Sequence, residues 1–276
     1  MTALAPLRRY CGEIECRSVR GRSTLTKLQS AAPLRLLSPR SYGRAVKVVS
    51  SSYGGGLVAG DDVPVRISVA EGAACVMTTQ SSSKVYRSEG RFAQQSLTAT
   101  IADNAILAVL PDPLCCYKDA IFRQQQTFDV APTGTLIWLD WLTSGRWASD
   151  ERWQFHSFAS RTDVRVGDQL VLRENLELNP RFGPIGGPAC MGRFNCYAVL
   201  AAVGPQAKTV IEAMRTAVDH CAANRTIDAI ASVAPIAGGA VARLIGPSAE
   251  AVQSMLRPML SPLLETLGED PWGRKW

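Results

Sequence analysis

Two histidines in 276 residues leave little room for chemistry that depends on imidazole. A catalytic triad needs a histidine base, and only His156 and His220 are available; neither stands beside a nucleophile signal or in a glycine-rich turn. Both are read as structural. The patterns G-x-S-x-G and H-E-x-x-H are absent, so neither a hydrolase elbow nor a zinc-protease helix is encoded. The eight cysteines, at 11, 16, 75, 115, 116, 190, 196 and 221, include no C-x-x-C pair, and the 11/16 and 190/196 spacings do not suit a zinc cage. Cys115 and Cys116 would point to opposite faces of an extended chain. Apolar runs stay short of the ~18 residues that a spanning helix needs. The first ten residues lack the apolar core of a secretion signal. The expectation is a cytoplasmic protein with free thiols, no membrane span and no permanently bound cofactor.

What is present suits a globular β protein. Apolar residues make up 46% and charged residues 20%, and the length is that expected of one domain, residues 1–276. Ten basic residues against Glu13 and Glu15 load the first 47 positions with an excess of eight positive charges, more than the net +6 of the whole chain. These charges are spaced without interleaved aromatics, which fits a solvated sheet face better than a nucleic-acid surface. Alternation over 95–101 and around Trp153 and Phe155 predicts strands, and 122–130 reads as another strand from which a Pro-Thr-Gly turn leads into 135–142. A hairpin is predicted about Gly167 and Asp168. Turn signals recur at the ~8–12-residue spacing of stacked antiparallel strands. No linker or repeat stands out, and residues 181–188 (RFGPIGGP) form the best candidate for a mobile loop or boundary.

Helical periodicity comes late. Val210, Met214, Val218 and Cys221 make one stripe over 206–223. A second helix over 248–267 begins at an N-cap, Ser248, carries Val252, Met255, Leu256 and Met259, and is split by Pro258 and Pro262. A glycine-bearing strand segment, 230–245, lies between them. The predicted fold class is mainly β (α+β), a layered antiparallel or helical β architecture over 10–205 with two helices in the C-terminal half.

Residues 53–87 are the richest stretch. Gly54, Gly55, Gly56 and Ala59 match G-x-G-x-x-A, which would suit a nucleotide- or sugar-phosphate-binding enzyme. That fingerprint works through the helix that follows it, whose N-terminus holds the phosphates. Here Asp61, Asp62 and Pro64 follow, then Val65, Ile67 and Val69 at strand spacing. The glycines fit a tight turn between strands. Beyond them, residues 78–84 (TTQSSSK) set a row of hydroxyls that either hydrogen-bond across strands or wall a hydrated channel. Asp61, Asp140 and Glu174 lie within or near apolar strand patterns, where a carboxylate must be paired, hydrated or functional; Arg146, Arg173 and Lys84 are the available pairing partners.

The segments GGGLVAGD (54–61), EGAACVMTTQ (71–80), SSSKVYR (81–87), LPDPLCCYKDAIFRQ (110–124), WLDWLTSGR (138–146) and LVLRENLEL (170–178) together resemble the UreD (UreH) family of urease accessory proteins. The order of motifs holds over nearly the whole chain, while PWGRKW at 271–276 departs from the family's Pro-Arg-x-Trp ending. The resemblance implies a non-enzymatic urease maturation chaperone. It would bind apo-urease, the UreF accessory protein and, through UreF, the UreG GTPase. It implies transient Ni²⁺ rather than a resident cofactor, and an internal passage for it. On that implication Asp61, Asp140 and Glu174 would contact the metal, and Ser81 and Lys84 would line its path. Met214, Met255 and Met259 would either offer adaptable contacts to UreF or pack the core.

Overall fold

The computed structural model describes residues 10–223 and 228–272. The chain forms β1 (Gly12–Val19), β2 (Arg22–Ser30), β3 (Leu34–Leu37), β4 (Val46–Ser52), β5 (Asp62–Val69) and β6 (Ala74–Thr79). Next come β7 (Lys84–Val85), β8 (Ala93–Ile101), β9 (Ile106–Leu110), β10 (Leu114–Cys116), β11 (Ile121–Val130) and β12 (Thr135–Thr143). They are followed by β13 (Ser157–Val166), β14 (Gln169–Leu178), β15 (Cys196–Val203), α1 (Lys208–Ala223), β16 (Ile230–Ile236), β17 (Gly239–Gly246), α2 (Ala249–Leu260) and α3 (Leu263–Leu267).

The strands make two stacked sheets. One is seven-stranded, in the order β14-β13-β11-β8-β5-β1-β2; the other is ten-stranded and runs β16-β17-β15-β12-β9-β6-β4-β3, with β10 and β7 attached beyond β12. The protein is mainly β with its helices in the C-terminal half, as predicted. The direction of the strands differs from the antiparallel expectation. The ladders β1–β5, β5–β8, β8–β11 and β11–β13 are parallel, as are β4–β6, β6–β9 and β9–β12; antiparallel pairs lie towards the edges. Turns recur as often as in a meander, and some close hairpins (β1–β2, β13–β14, β16–β17), but those at 70–73, 102–105 and 131–134 cross from one sheet to the other instead of joining neighbours.

That crossing produces a repeat which the sequence hides. Three successive coils turn through A-E-G-A (70–73), A-D-N-A (102–105) and A-P-T-G (131–134). In each turn the fourth N–H donates to the first carbonyl: Ala73 to Ala70 at 3.1 Å, Ala105 to Ala102 at 3.2 Å, Gly134 to Ala131 at 2.9 Å. Each turn also stacks on the one before, with Ala102 N–H on the Val69 carbonyl (2.9 Å) and Ala131 N–H on that of Ile101 (2.8 Å). Only the backbone pattern repeats, so side-chain identity barely records it. At the same end Gly204, at φ 102°, passes so close to Gly134 that a Cβ would lie 2.0 Å from its carbonyl oxygen.

β12 shows why the ten-stranded sheet is so apolar. Leu136, Trp138 and Leu142 face the space between the sheets, while Ile137, Leu139 and Trp141 face the helices. Both faces are buried, so the strand is apolar almost throughout instead of alternating. The helices cover that outer face. Ser248 caps α2 by accepting the Ala251 N–H at 3.2 Å, Pro258 remains inside the helix, and the break falls at Pro262. Met214, Met255 and Met259 are buried against the sheet, so their side chains are committed to packing the helices down rather than displayed at the surface.

Two local expectations are corrected. Residues 230–245 are not one strand but the hairpin β16–β17, turning at Gly238 (φ 71°). Trp153 and Phe155 sit in the loop before β13, buried and in edge-to-face contact, not in a strand. Residues 181–188, expected to be a loop, do form one, and it is tied to the core through buried Ile185 and Met191. Arg8 and Arg9 of the basic segment, and residues 273–276 of the atypical ending, lie outside the described residues.

Candidate functional site

Several inward positions near the long-loop end of the sandwich are polar. On β11 the alternation runs Phe122, Gln124, Gln126, Phe128, so two amides share a face with two buried aromatics. Opposite them on β12, Asp140 takes the inward place between Trp138 and Leu142. Ser50, Thr79, Gln95, Ser160, Glu174 and Tyr197 extend this layer across other strands of the two sheets.

Three adjoining cavities run through that layer. The first, about 90 Å³, is lined by Ser50, Ser51, Ser52, Gly56, Ser81 and Lys84 among others. Ser50, Thr79, Ser83 and Gln95 also line the second, about 60 Å³, which reaches Asp112, Gln124, Gln126 and Asp140. Asp140 and Trp141 are shared in turn with the third, about 20 Å³, bounded by Phe158, Ser160, Glu174 and Tyr197. At ~10–15 Å³ for each water centre, the last has room for about one water.

Asp140 is the chemical centre. Its Oδ2 accepts from Gln124 Nε2 at 2.7 Å, Ser160 Oγ at 3.2 Å and Gln126 Nε2 at 3.5 Å. Gln126 is held in turn because its Oε1 accepts the Trp138 indole N–H at 3.2 Å. No cation pairs with Asp140 in these contacts. Burial therefore dominates and pushes its carboxyl up to about 6, with the negative Glu174 adding to the rise while the Ser160 and Gln124 bonds oppose it. Glu174 sits differently: Tyr197 Oη donates to its Oε1 at 3.1 Å, and Arg243 Nε does so at 3.3 Å.

Of the residues singled out from sequence, Asp140 and Glu174 meet in the third cavity, and Ser81 and Lys84 line the first. Asp61 lines none of the three; its Oδ2 accepts the Val58 N–H at 2.8 Å and pins the glycine turn. That turn leads into β5, and no helix follows it. Among the described residues no three or more His, Cys, Asp or Glu side chains form a metal-holding cluster, and all eight cysteines are free. Sequence reasoning missed Gln95, Gln124, Gln126, Ser160, Tyr197 and Arg243. For Gln124 and Gln126 a signal existed, since strand alternation puts both on the face of Phe122 and Phe128.

Comparison with known proteins agrees in one direction. A family model described as "UreD urease accessory protein" matches residues 11–276. The chain is similar to "Urease accessory protein UreD" of Sorangium cellulosum, 39% identical with 96% of this chain and 84% of that one covered. It is 35% identical to the protein of the same name from an Anaeromyxobacter species, over 97% and 90% of the two chains. It is also similar to "Urease accessory protein D" of Oryza sativa subsp. japonica, 31% identical over 95% and 94%.

Proposed function

The chain belongs to the UreD urease accessory protein family, and from that premise we propose that it is a non-catalytic cytoplasmic chaperone that passes Ni²⁺ through the gap between its sheets to apo-urease. UreF and, through it, the UreG GTPase are its expected partners, with the GTPase supplying the energy. The observation that carries the reading is the run of cavities converging on Asp140 and Glu174. A polar layer spanning a β sandwich is costly unless it is used, because each inward polar group gives up water or apolar contacts.

The dimensions suggest how such a passage would act. Hydroxyl and amide oxygens in the wider cavities can replace part of a hydration shell without holding a divalent ion tightly. At the narrowest point an ion would have shed most of its water, and there the two carboxylates compensate its charge. Two carboxylates are too few for a closed divalent cage, which is appropriate to an ion that must leave. With its carboxyl raised only to about 6, Asp140 would meet the cation largely ionised at neutral pH, and a positive charge beside it would favour that form further. Ser81 and Lys84 lie at the wide end, and Asp61 would act by shaping the turn beside it.

The test is the double variant D140N/E174Q, expressed with apo-urease and the other accessory proteins. Nickel per urease should fall by roughly tenfold or more, as when metal-contacting groups are neutralised, while copurification of the partners is unchanged. Unchanged nickel content in intact complexes refutes the passage.

A further inference from the structure

The run of cavities ends against an ion pair that belongs to neither the apolar core nor the open surface. Glu174 projects from β14, the edge strand of the seven-stranded sheet, and Arg243 from β17 of the other sheet, one strand in from its edge. Together they bridge the two sheets beside the third cavity. Glu174 lines that cavity and its side chain is only 15% exposed, whereas the Arg243 side chain is 40% exposed and so lies on the solvent side of the carboxylate. Arg243 bonds both oxygens, Nε to Oε1 and Nη2 to Oε2, and Tyr197 Oη adds a third donor to Oε1.

The geometry points to Arg243 as an electrostatic plug: its guanidinium occupies Glu174 and closes the narrow end of the passage until a divalent cation displaces it. This rests on the passage reading above. The pair is neutral, so Glu174 offers an approaching cation little attraction while Arg243 holds it. Three donors already engage the carboxylate, and a metal ion needs the same lone pairs. A partly exposed arginine on a long side chain can swing into water without unfolding its strand, and its two-point hold on Glu174 is what an incoming cation has to overcome. Arginine suits this place better than lysine, because its planar fork covers both oxygens at once. Arg243 thereby sets the threshold for release, while Asp140, which has no cationic partner, supplies the first stop. The third cavity places both carboxylates within one small space, so an ion leaving Asp140 meets the plug directly.

Equilibrium dialysis of the full-length protein against Ni²⁺ at pH 7.5 decides the matter. R243M should bind about tenfold tighter than the parent chain, a ligand-release effect of the size seen around metal sites. R243M/E174Q should lose that gain, since the freed carboxylate is its source. R243K, which keeps the charge without the fork, should give a smaller gain and serves if R243M does not fold. Every variant retains His156 and His220, so adventitious binding to them cancels in the comparison. An affinity for R243M or R243K equal to that of the parent overturns the plug, as does a gain that survives E174Q. D140N separates the two ideas. If it binds as the parent does, the passage itself fails and the plug with it; if it weakens binding while Arg243 variants change nothing, only the plug fails.

Discussion

Replacing Asp140 with asparagine should make this protein more stable at neutral pH, and the size of the gain follows from its surroundings. The carboxyl rises from an ordinary 3.8 to about 6 in the folded chain. A raised pKa means that the folded state holds the proton more tightly than the unfolded chain does. Ionising Asp140 therefore opposes folding, with no penalty below about pH 4, a growing one between about 4 and 6, and the full one above that. Two pKa steps correspond to about 3 kcal/mol, taken as a ceiling because water in the adjoining cavities screens the charge. Asparagine keeps an oxygen to accept from Gln124 and Ser160 and carries no charge. For a chain of this length, D140N should raise Tm by up to about 5 °C at pH 7.5, with the gain vanishing at pH 4. Paired thermal melts at the two pH values check this. A lower or unchanged Tm at pH 7.5, or the same gain at both, would refute the account of Asp140 as a desolvated carboxylate without a cationic partner. Stabilisation joined to loss of nickel transfer is the signature of a residue kept for function at the expense of stability.

Other outcomes follow from particular contacts. Lys47 is 6% exposed, and its Nζ pairs with Glu269 at 2.7 Å, fastening the segment after α3 to β4. E269A should cost about 3 kcal/mol by leaving that ammonium buried and unpaired, and K47M combined with E269Q should recover most of it in chemical denaturation. Gly204→Ala, which drives a Cβ into the Gly134 carbonyl, should abolish soluble expression. Gly238→Ala, at φ 71° with open space around it, should cost only about 1 kcal/mol. Soluble yield and a melt of each distinguish a close approach from simple backbone strain.

Much of the protein is written in local pattern. Two-residue alternation marks β8 and β11, an apolar run after a Pro-Thr-Gly turn marks β12, the stripe through Val210 and Met214 marks α1, and Ser248 with Pro262 brackets α2. These features depend on near neighbours, and local sequence records them. The order of motifs likewise carries the family, and Asp140 and Glu174 stand out as carboxylates in apolar strands. Strand direction is not local. The turns at 70–73, 102–105 and 131–134 have the length of hairpin loops, and only the register between coils makes their strands parallel. The same holds for what each polar side chain meets. Asp61 and Asp140 look alike in sequence, yet one accepts a backbone N–H in its own turn while the other faces two glutamines from the opposite sheet. Glu174 and Arg243 lie 69 residues apart and meet only because stacking brings their two sheets together. Periodicity decides which face a residue occupies; what stands across the gap is decided by how the coils stack, and the site is made there.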